Sequence, residues 1–342
     1  MSRLLSTVSA ITFIAGTYAS ADVPKVVADI APIHSLVSRV MDGVGEPKLI
    51  VPNETSPHDY RLRPADAEAI EDANLVFWMG EGLTPWMERA LEALSNDTDI
   101  IEFLALEEST LLSFREGALF EAHDHSDHDD HDDHDKDHDD HDDHDDHDDH
   151  DKDHDDHDDH DDHDDHAGHD HGEYDPHAWL STNNAKTWLN VIAARLSSID
   201  PDNAGAYFAN ASEARGEMDA LDIEINAMLD PVRGGKFVVF HDAYQYFETV
   251  YDFPASGAIS LGDASDPSAA RVAEIANRIK SENIACVLSE PQFNAGLVKT
   301  VMGGTDATTE VIDPLGFGIE PGKSLYPKLI RAMAQSLVNC LK

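Results

Sequence analysis

Of the 21 histidines in this 342-residue chain, 17 fall in one tract. They are His123, His125, His128, His131, His134, His138, His141, His144, His147, His150, His154, His157, His160, His163, His166, His169 and His171, mostly separated by pairs of aspartate. Four stand elsewhere: His34, His58, His177 and His241. His58 lies in SPHDY, just past the apolar run at Lys48 to Val51, and His241 in VVFHDAY closes another such run. His177 sits in DPHAWL, between the tract and a helical stretch, and Asp313 in VIDPLG ends a further apolar run. In open α/β sheets, ligands bind in the crevice beyond the carboxyl ends of the strands. Three neutral imidazoles with at most one carboxylate or water make a donor set suited to tetrahedral Zn²⁺. Imidazole also accepts copper, nickel and iron, so geometry and availability must complete the selection. Each ring needs an acceptor on its other nitrogen to fix its tautomer. Asp59 and Asp242, the next residues after His58 and His241, are the expected acceptors. A single loop-end histidine is ordinarily just hydrogen-bonded to backbone, but three at equivalent positions argue for a site. His34, in APIHSL, is expected either to line the same cleft or simply to begin a helix.

The elements that must position these residues alternate in type. KVVADI (25–30), PKLIVP (47–52) and NLVFWMG (74–80) read as strands, and the segments after them as helices. The helix at TPWMERALEALS is expected to have Thr84 as N-cap, with Pro85 at its first position. This alternation predicts an α/β fold with mostly parallel sheets covered by helices. Residues 183–230 read as almost wholly helical, with a second helix from near Pro201 that runs more than twenty residues without a breaker. That length suits a rigid connector. KFVVF (236–240), IACVLSE (284–290) and TTEVID (308–313) then form a second strand series, with a helix capped by Asp266 and a closing helix at YPKLIRAMAQSLVNCL. The expected architecture is two (β/α) lobes joined by a long rigid connector helix, with a metal in the cleft between the lobes. Its parts are an N-terminal lobe at 22–182, a helical connector at 183–230 and a C-terminal lobe at 231–342. The Asp/His-rich segment 123–171 interrupts the first lobe. It is highly charged and almost devoid of apolar residues, so it is expected to be a disordered surface loop.

Composition narrows the classes. The 27 Asp and 2 Lys of the tract account for −25 of the formal charge of −46, leaving −21 on the rest of the chain. That balance disfavours nucleic acid and anionic membrane surfaces, both of which call for Lys and Arg. The first 21 residues combine Arg3, an apolar stretch from Leu4 to Ala15 and ASA at 19–21, the pattern of a secretory signal peptide. Outside the cytoplasm two lone cysteines pair, so Cys286 and Cys340 are expected to form a structural disulfide.

PNETSPHDYRLRPADAEAIEDANLVFWMG, YDPHAWLSTNNAKTW, FVVFHDAYQYFE and LSEPQFNAG together closely resemble the zinc-binding proteins of bacterial ABC importers, the ZnuA type, within the metal-binding class of substrate-binding proteins. The resemblance spans essentially the whole chain after residue 21. It implies two lobes bridged by a rigid helix and zinc held by His58, His177 and His241. It also implies a disulfide in the C-terminal lobe and an Asp/His-rich loop before DPH. Manganese-specific relatives place Glu at the position of His241, so this residue points to zinc. Some members supply a carboxylate immediately before the first His, where this chain has Pro57. The fourth ligand is then Asp313, which matches the carboxylate of other branches, or a water.

The expected function is capture of Zn²⁺ in the periplasm and delivery to an ABC transporter permease, by a monomer with no enzymatic activity. Because the ligands must be deprotonated, affinity is expected to fall as pH drops through about 6.5. The tract offers weak, interchangeable imidazole and carboxylate donors, and is expected to collect metal near the cleft. Two other readings stay open at this point: a periplasmic zinc buffer whose main site is the tract, and a three-His zinc hydrolase. Against the hydrolase, no H-E-x-x-H or comparable motif sets a general base beside the ligands.

Overall fold

The computed structural model describes residues 23–95, 98–115, 120, 174–260, 267–292 and 295–342. The signal-peptide expectation, the Asp/His tract and the proposed cap Asp266 all lie outside these residues. Short runs rich in Val, Ile, Leu and Phe make two four-stranded sheets, each parallel throughout. The first contains β1 (Val26–Ala28), β2 (Lys48–Leu49), β3 (Leu75–Trp78) and β4 (Asp99–Glu102) in the order β2-β1-β3-β4. Around them run α1 (Ala31–Val40), α2 (Pro64–Glu71) and α3 (Pro85–Leu94). The central strands β1 and β3 are buried at every residue, as strands covered by helices on both faces must be.

Two long helices follow. Ser181 starts α4 (Thr182–Ile199) by accepting a hydrogen bond from the Asn184 amide. A 3-10 turn at Pro201–Asn203 then leads into α5 (Ala204–Leu229), whose 26 residues extend about 39 Å. Its buried residues Tyr207, Ala211, Ala214, Met218, Leu221, Ile225 and Leu229 recur every three or four positions, so one stripe faces inward. That stripe packs against α1, α4 and the last helix.

The second sheet comprises β5 (Phe237–His241), β6 (Ala258–Ser260), β7 (Cys286–Ser289) and β8 (Thr308–Val311) in the order β6-β5-β7-β8. With it come α6 (Gln245–Tyr251), α7 (Ala269–Glu282), α8 (Ala295–Val301) and α9 (Leu325–Leu341). The α7 cap is Ser268, which accepts from the Arg271 amide, in place of the expected Asp266. Thr84 precedes α3 but makes no side-chain cap; its hydroxyl instead accepts the Trp78 indole N–H at 2.5 Å. β4 and β6 were not expected from the sequence. Both are short edge strands, and β4 carries two acidic residues in four.

One hydrophobic core runs from the first sheet through α4, α5 and α9 to the inner face of the second sheet. A smaller one lies between the second sheet and α7–α8. Asn53 reaches from the first half of the chain to the carbonyls of Gly316 and Ile319, and Trp179 Nε1 donates to Pro314 O at 2.8 Å. These contacts fix the 314–319 loop against residues near β2 and α4. Among the described residues no helix is long and apolar enough to cross a membrane.

Cys286 of β7 and Cys340 of α9 form the expected disulfide across 54 residues of sequence. Closing a loop of that length stabilises the fold by about 4 kcal/mol in the chain-entropy model. Cys340→Ala should therefore lower the urea-unfolding free energy by an amount on that order, and reduction of the parent should do the same. A change below about 1 kcal/mol would show that the bridge constrains little of the unfolded chain.

The Asp29 carboxyl is fully buried, and burial pushes it up to about 7 while hydrogen bonds from the Met79 and Ile30 amides pull it down. A folded-state value above the unfolded one means that the folded chain binds the proton more tightly. Stability from this group is then present at low pH and is lost as pH rises through about 7. The fall in melting temperature between pH 5 and pH 8 is expected to be shallower in Asp29→Asn than in the parent. Parallel curves would contradict this.

Candidate metal centre

In the second sheet the chain passes from β5 to β6 on one side and then to β7 on the other, so the strand order reverses between β5 and β7. Loops leaving adjacent strands in opposite directions open a crevice there. His241 is the last residue of β5 and Glu290 the first after β7, and His241 Nδ1 meets Glu290 Oε1 across this crevice at 2.5 Å. Their side chains are only 3% and 1% exposed, so water does not compete for that contact.

His177 comes from the other half of the fold. A bridge between Ser113 and Tyr174 brings together the chain on either side of the tract, and the Asp175 amide donates to Leu112 O at 2.8 Å. Asp175 Oδ1 then accepts from the His177 amide at 3.0 Å and lies 2.7 Å from His177 Nδ1. The ring is thereby aimed just before the 3-10 turn at Ala178–Leu180. His58 sits in the turn after β2. Its neighbours are held by Trp86 Nε1 donating to Pro57 O (2.8 Å) and Tyr60 OH donating to Asp66 (2.5 Å).

The three rings converge on one cleft. Ring centroids are 5.3 Å apart for His177 and His241, and 6.1 Å apart for His58 and His177. Two imidazoles bound to one tetrahedral ion through one nitrogen each, at about 2.0–2.1 Å, have centroids about 5 Å apart. His177 and His241 already stand at that separation, whereas His58 stands farther from His177. Consistently, among the described residues no three His, Cys, Asp or Glu side chains stand close enough to hold an ion together. The cleft has Pro57, Leu83, Trp179, Pro314 and Leu315 as apolar walls and Ser56, Glu290 and Gln292 as polar ones. Nδ1 of both His177 and His241 is turned to a carboxylate. Such carboxylate–histidine pairs fix the tautomer and raise the basicity of the ligating nitrogen.

The other sequence-derived residues fall elsewhere. Asp313 is half-buried and is not part of the cleft wall. Its Oδ1 accepts from the Leu315 amide at 3.0 Å. Burial raises its carboxyl, while hydrogen bonds from the Leu315, Phe317 and Gly316 amides and the Gln292 side chain lower it. His34 lines a separate cavity with Ser38, Asp42, Glu46 and Lys323, and its Nε2 lies 3.0 Å from Pro47 O. Burial holds this imidazole below the usual histidine range. Asp59 is exposed and Asp242 is ion-paired with Arg115, so neither is the ring-orienting acceptor expected from adjacency. Asp175 and Glu290 take that part. Asp175 lay in plain view two residues before His177. Glu290 is 49 residues from His241, and only the strand order brings the two together.

This arrangement defines a two-lobed α/β protein of the kind that holds a ligand between parallel sheets. A solved ZnuA structure shares the fold, with a TM-score of 0.68 at 21% identity over 94% of this chain and 100% of that one. The family model for ZnuA, the periplasmic component A of zinc-uptake complexes, matches residues 26–340. The chain is 47% identical to the high-affinity zinc uptake system protein ZnuA of Brucella abortus (strain 2308) over a 344-residue alignment, covering 100% of this chain and 99% of that protein. It is 45% identical to the ZnuA of Paracoccus denitrificans (strain Pd 1222) over 324 residues, covering 94% and 93%. The chain belongs to the ZnuA family.

Glu290→Ala should leave the fold intact and free the His241 ring from its fixed tautomer. Long-range ¹H–¹⁵N spectra of the imidazoles read this directly. An unchanged His241 pattern in the variant would mean that Glu290 does not orient the ring.

Proposed function

We propose that the chain captures Zn²⁺ in the periplasm through His58, His177 and His241 and passes it to the permease of an ABC importer. The observation that carries the reading is the convergence of His177 and His241, each with its Nδ1 paired to a buried carboxylate, Asp175 and Glu290, on the cleft that His58 also lines. The zinc-uptake names of full-length relatives support the choice of metal and of partner. An all-imidazole donor set also favours zinc over the harder manganese and magnesium ions, which prefer oxygen ligands. Asp313 keeps its oxygen on loop amides, and this supports a water rather than Asp313 in the fourth position. Export by residues 1–21, lobes at 22–182 and 231–342 around a 183–230 connector, a monomeric state and a binding rather than catalytic role complete the proposal. The histidines of the 123–171 tract act as an accessory, lower-affinity collector.

Release need not involve a wide hinge motion. The core continuous through α5 and the Asn53 and Trp179 tethers resist lobe separation, so displacement of the His58 turn is the smaller movement.

Substituting each of His58, His177 and His241 by Ala tests the reading by chelator-competition titration. Each change should weaken the tightest site by more than the roughly 10–100-fold typical of losing an outer-shell partner. It should also abolish growth supported by this protein under zinc starvation. Tight binding that survives all three substitutions would move the main site to the tract and favour a zinc buffer.

A further inference from the structure

Arg115 stands at the foot of the Asp/His tract and makes contacts that local folding does not require. Its guanidinium lies over the Phe120 ring at 3.5 Å and forks onto two carboxylates. Nε donates to Asp242 Oδ2 at 3.0 Å, and Nη2 donates to Asp242 Oδ1. Nη1 reaches Glu248 Oε2 at 2.7 Å and Nη2 reaches Glu248 Oε1 at 3.1 Å. The side chains of Arg115, Asp242 and Glu248 are 18%, 6% and 5% exposed, so these are desolvated ion pairs. Glu248 Oε2 also accepts the Ala255 amide at 3.1 Å.

The positions of the two carboxylates in the fold matter most. Asp242 immediately follows His241 at the end of β5, and Glu248 lies on α6. The backbone that carries Arg115 is bound in turn to the segment that carries Asp175 and His177, through the Ser113–Tyr174 bridge and the Asp175–Leu112 hydrogen bond. Tyr246, also on α6, closes the frame: its hydroxyl donates to Asp175 O at 2.8 Å and accepts the Leu112 amide at 2.9 Å. Every link between the His177 segment and the end of β5 in this frame therefore passes through α6 or Arg115.

We propose that Arg115 is a positioning residue for the metal centre: a strut that sets the His177–His241 separation. The proposal rests on the three-His cleft being the zinc site. The strut fixes two ligands before metal arrives. Only a planar fork can hold both carboxylates in this way; a lysine would supply a point charge without the geometry. Retention of a buried ion cluster where apolar packing could serve equally well is consistent with a role in specifying geometry.

The test uses the full-length chain loaded with zinc and stopped-flow release to excess chelator. The phase abolished by His177→Ala identifies release from the cleft. The triple variant Arg115→Met/Asp242→Asn/Glu248→Gln removes all three charges and strands none. It should fold, by circular dichroism and melting temperature, yet release cleft zinc at least tenfold faster. Its Co²⁺ form should show an altered visible d–d spectrum, which a purely stabilising ion pair would not change. Arg115→Lys keeps the charge and should still release faster than the parent, and this arm stands even where the triple variant does not fold. An unchanged cleft phase and cobalt spectrum in the folded triple variant, or an unchanged rate in Arg115→Lys, would overturn the proposal. If no release phase depends on His177, the cleft reading itself has failed, which is a different outcome.

Discussion

A buried imidazole can offer one nitrogen to a ligand reliably only when its other nitrogen is fixed. Here Asp175 and Glu290 fix the Nδ1 atoms of His177 and His241, and the placement of the surrounding structure follows from that need. Glu290 reaches His241 because β5 and β7 are adjacent at the point where the strand order reverses. Asp175 reaches His177 because the chain flanking the tract is closed by a bridge to Ser113. Both carboxylates are almost wholly buried, and a carboxylate in that setting is stable only where it is paired or hydrogen-bonded. Two carboxylate–imidazole units are thus delivered from opposite halves of one continuous core.

The Asp/His tract carries most of the histidine and more than half of the net charge, yet the cleft is lined by three histidines outside it. Abundance and order contribute differently to binding. A repeated donor sequence loses conformational entropy each time it gathers ligands, whereas an anchored ring has lost that freedom on folding. Thermodynamically, part of the cost of a tight site is met by the fold before the ion arrives.

Much of this was legible from sequence because its determinants are local. The β-α alternation gave both parallel sheets, the unbroken run after Pro201 gave the long helix, and loop-end positions singled out His58, His177 and His241. Where the reading fell short, the deciding interaction was not local. β4 and β6 are edge strands of four and three residues, too short for a periodic pattern to emerge. Asp242 was the natural partner for His241 by adjacency, but successive residues at a strand end point in different directions, and Asp242 turns to Arg115. Glu290 needed the strand order, which no single segment encodes.

The two sheets share one winding, β2-β1-β3-β4 and β6-β5-β7-β8, so the first sheet has a reversal point of its own between β1 and β3. There Asp29, just past β1, accepts the Met79 amide just past β3 at 2.7 Å, in the place where His241 meets Glu290 in the second sheet. One crevice is sewn shut by a side chain bound to main chain, and the other is left for a ligand. For protein engineering this asymmetry is a warning against symmetric transplantation. Grafting a histidine at Asp29 would strand the Ile30 and Met79 amides in a dry interior, each at a cost of about 1–3 kcal/mol. A second binding pocket therefore cannot be copied across the fold one residue at a time, because the dormant twin is held closed by the backbone itself.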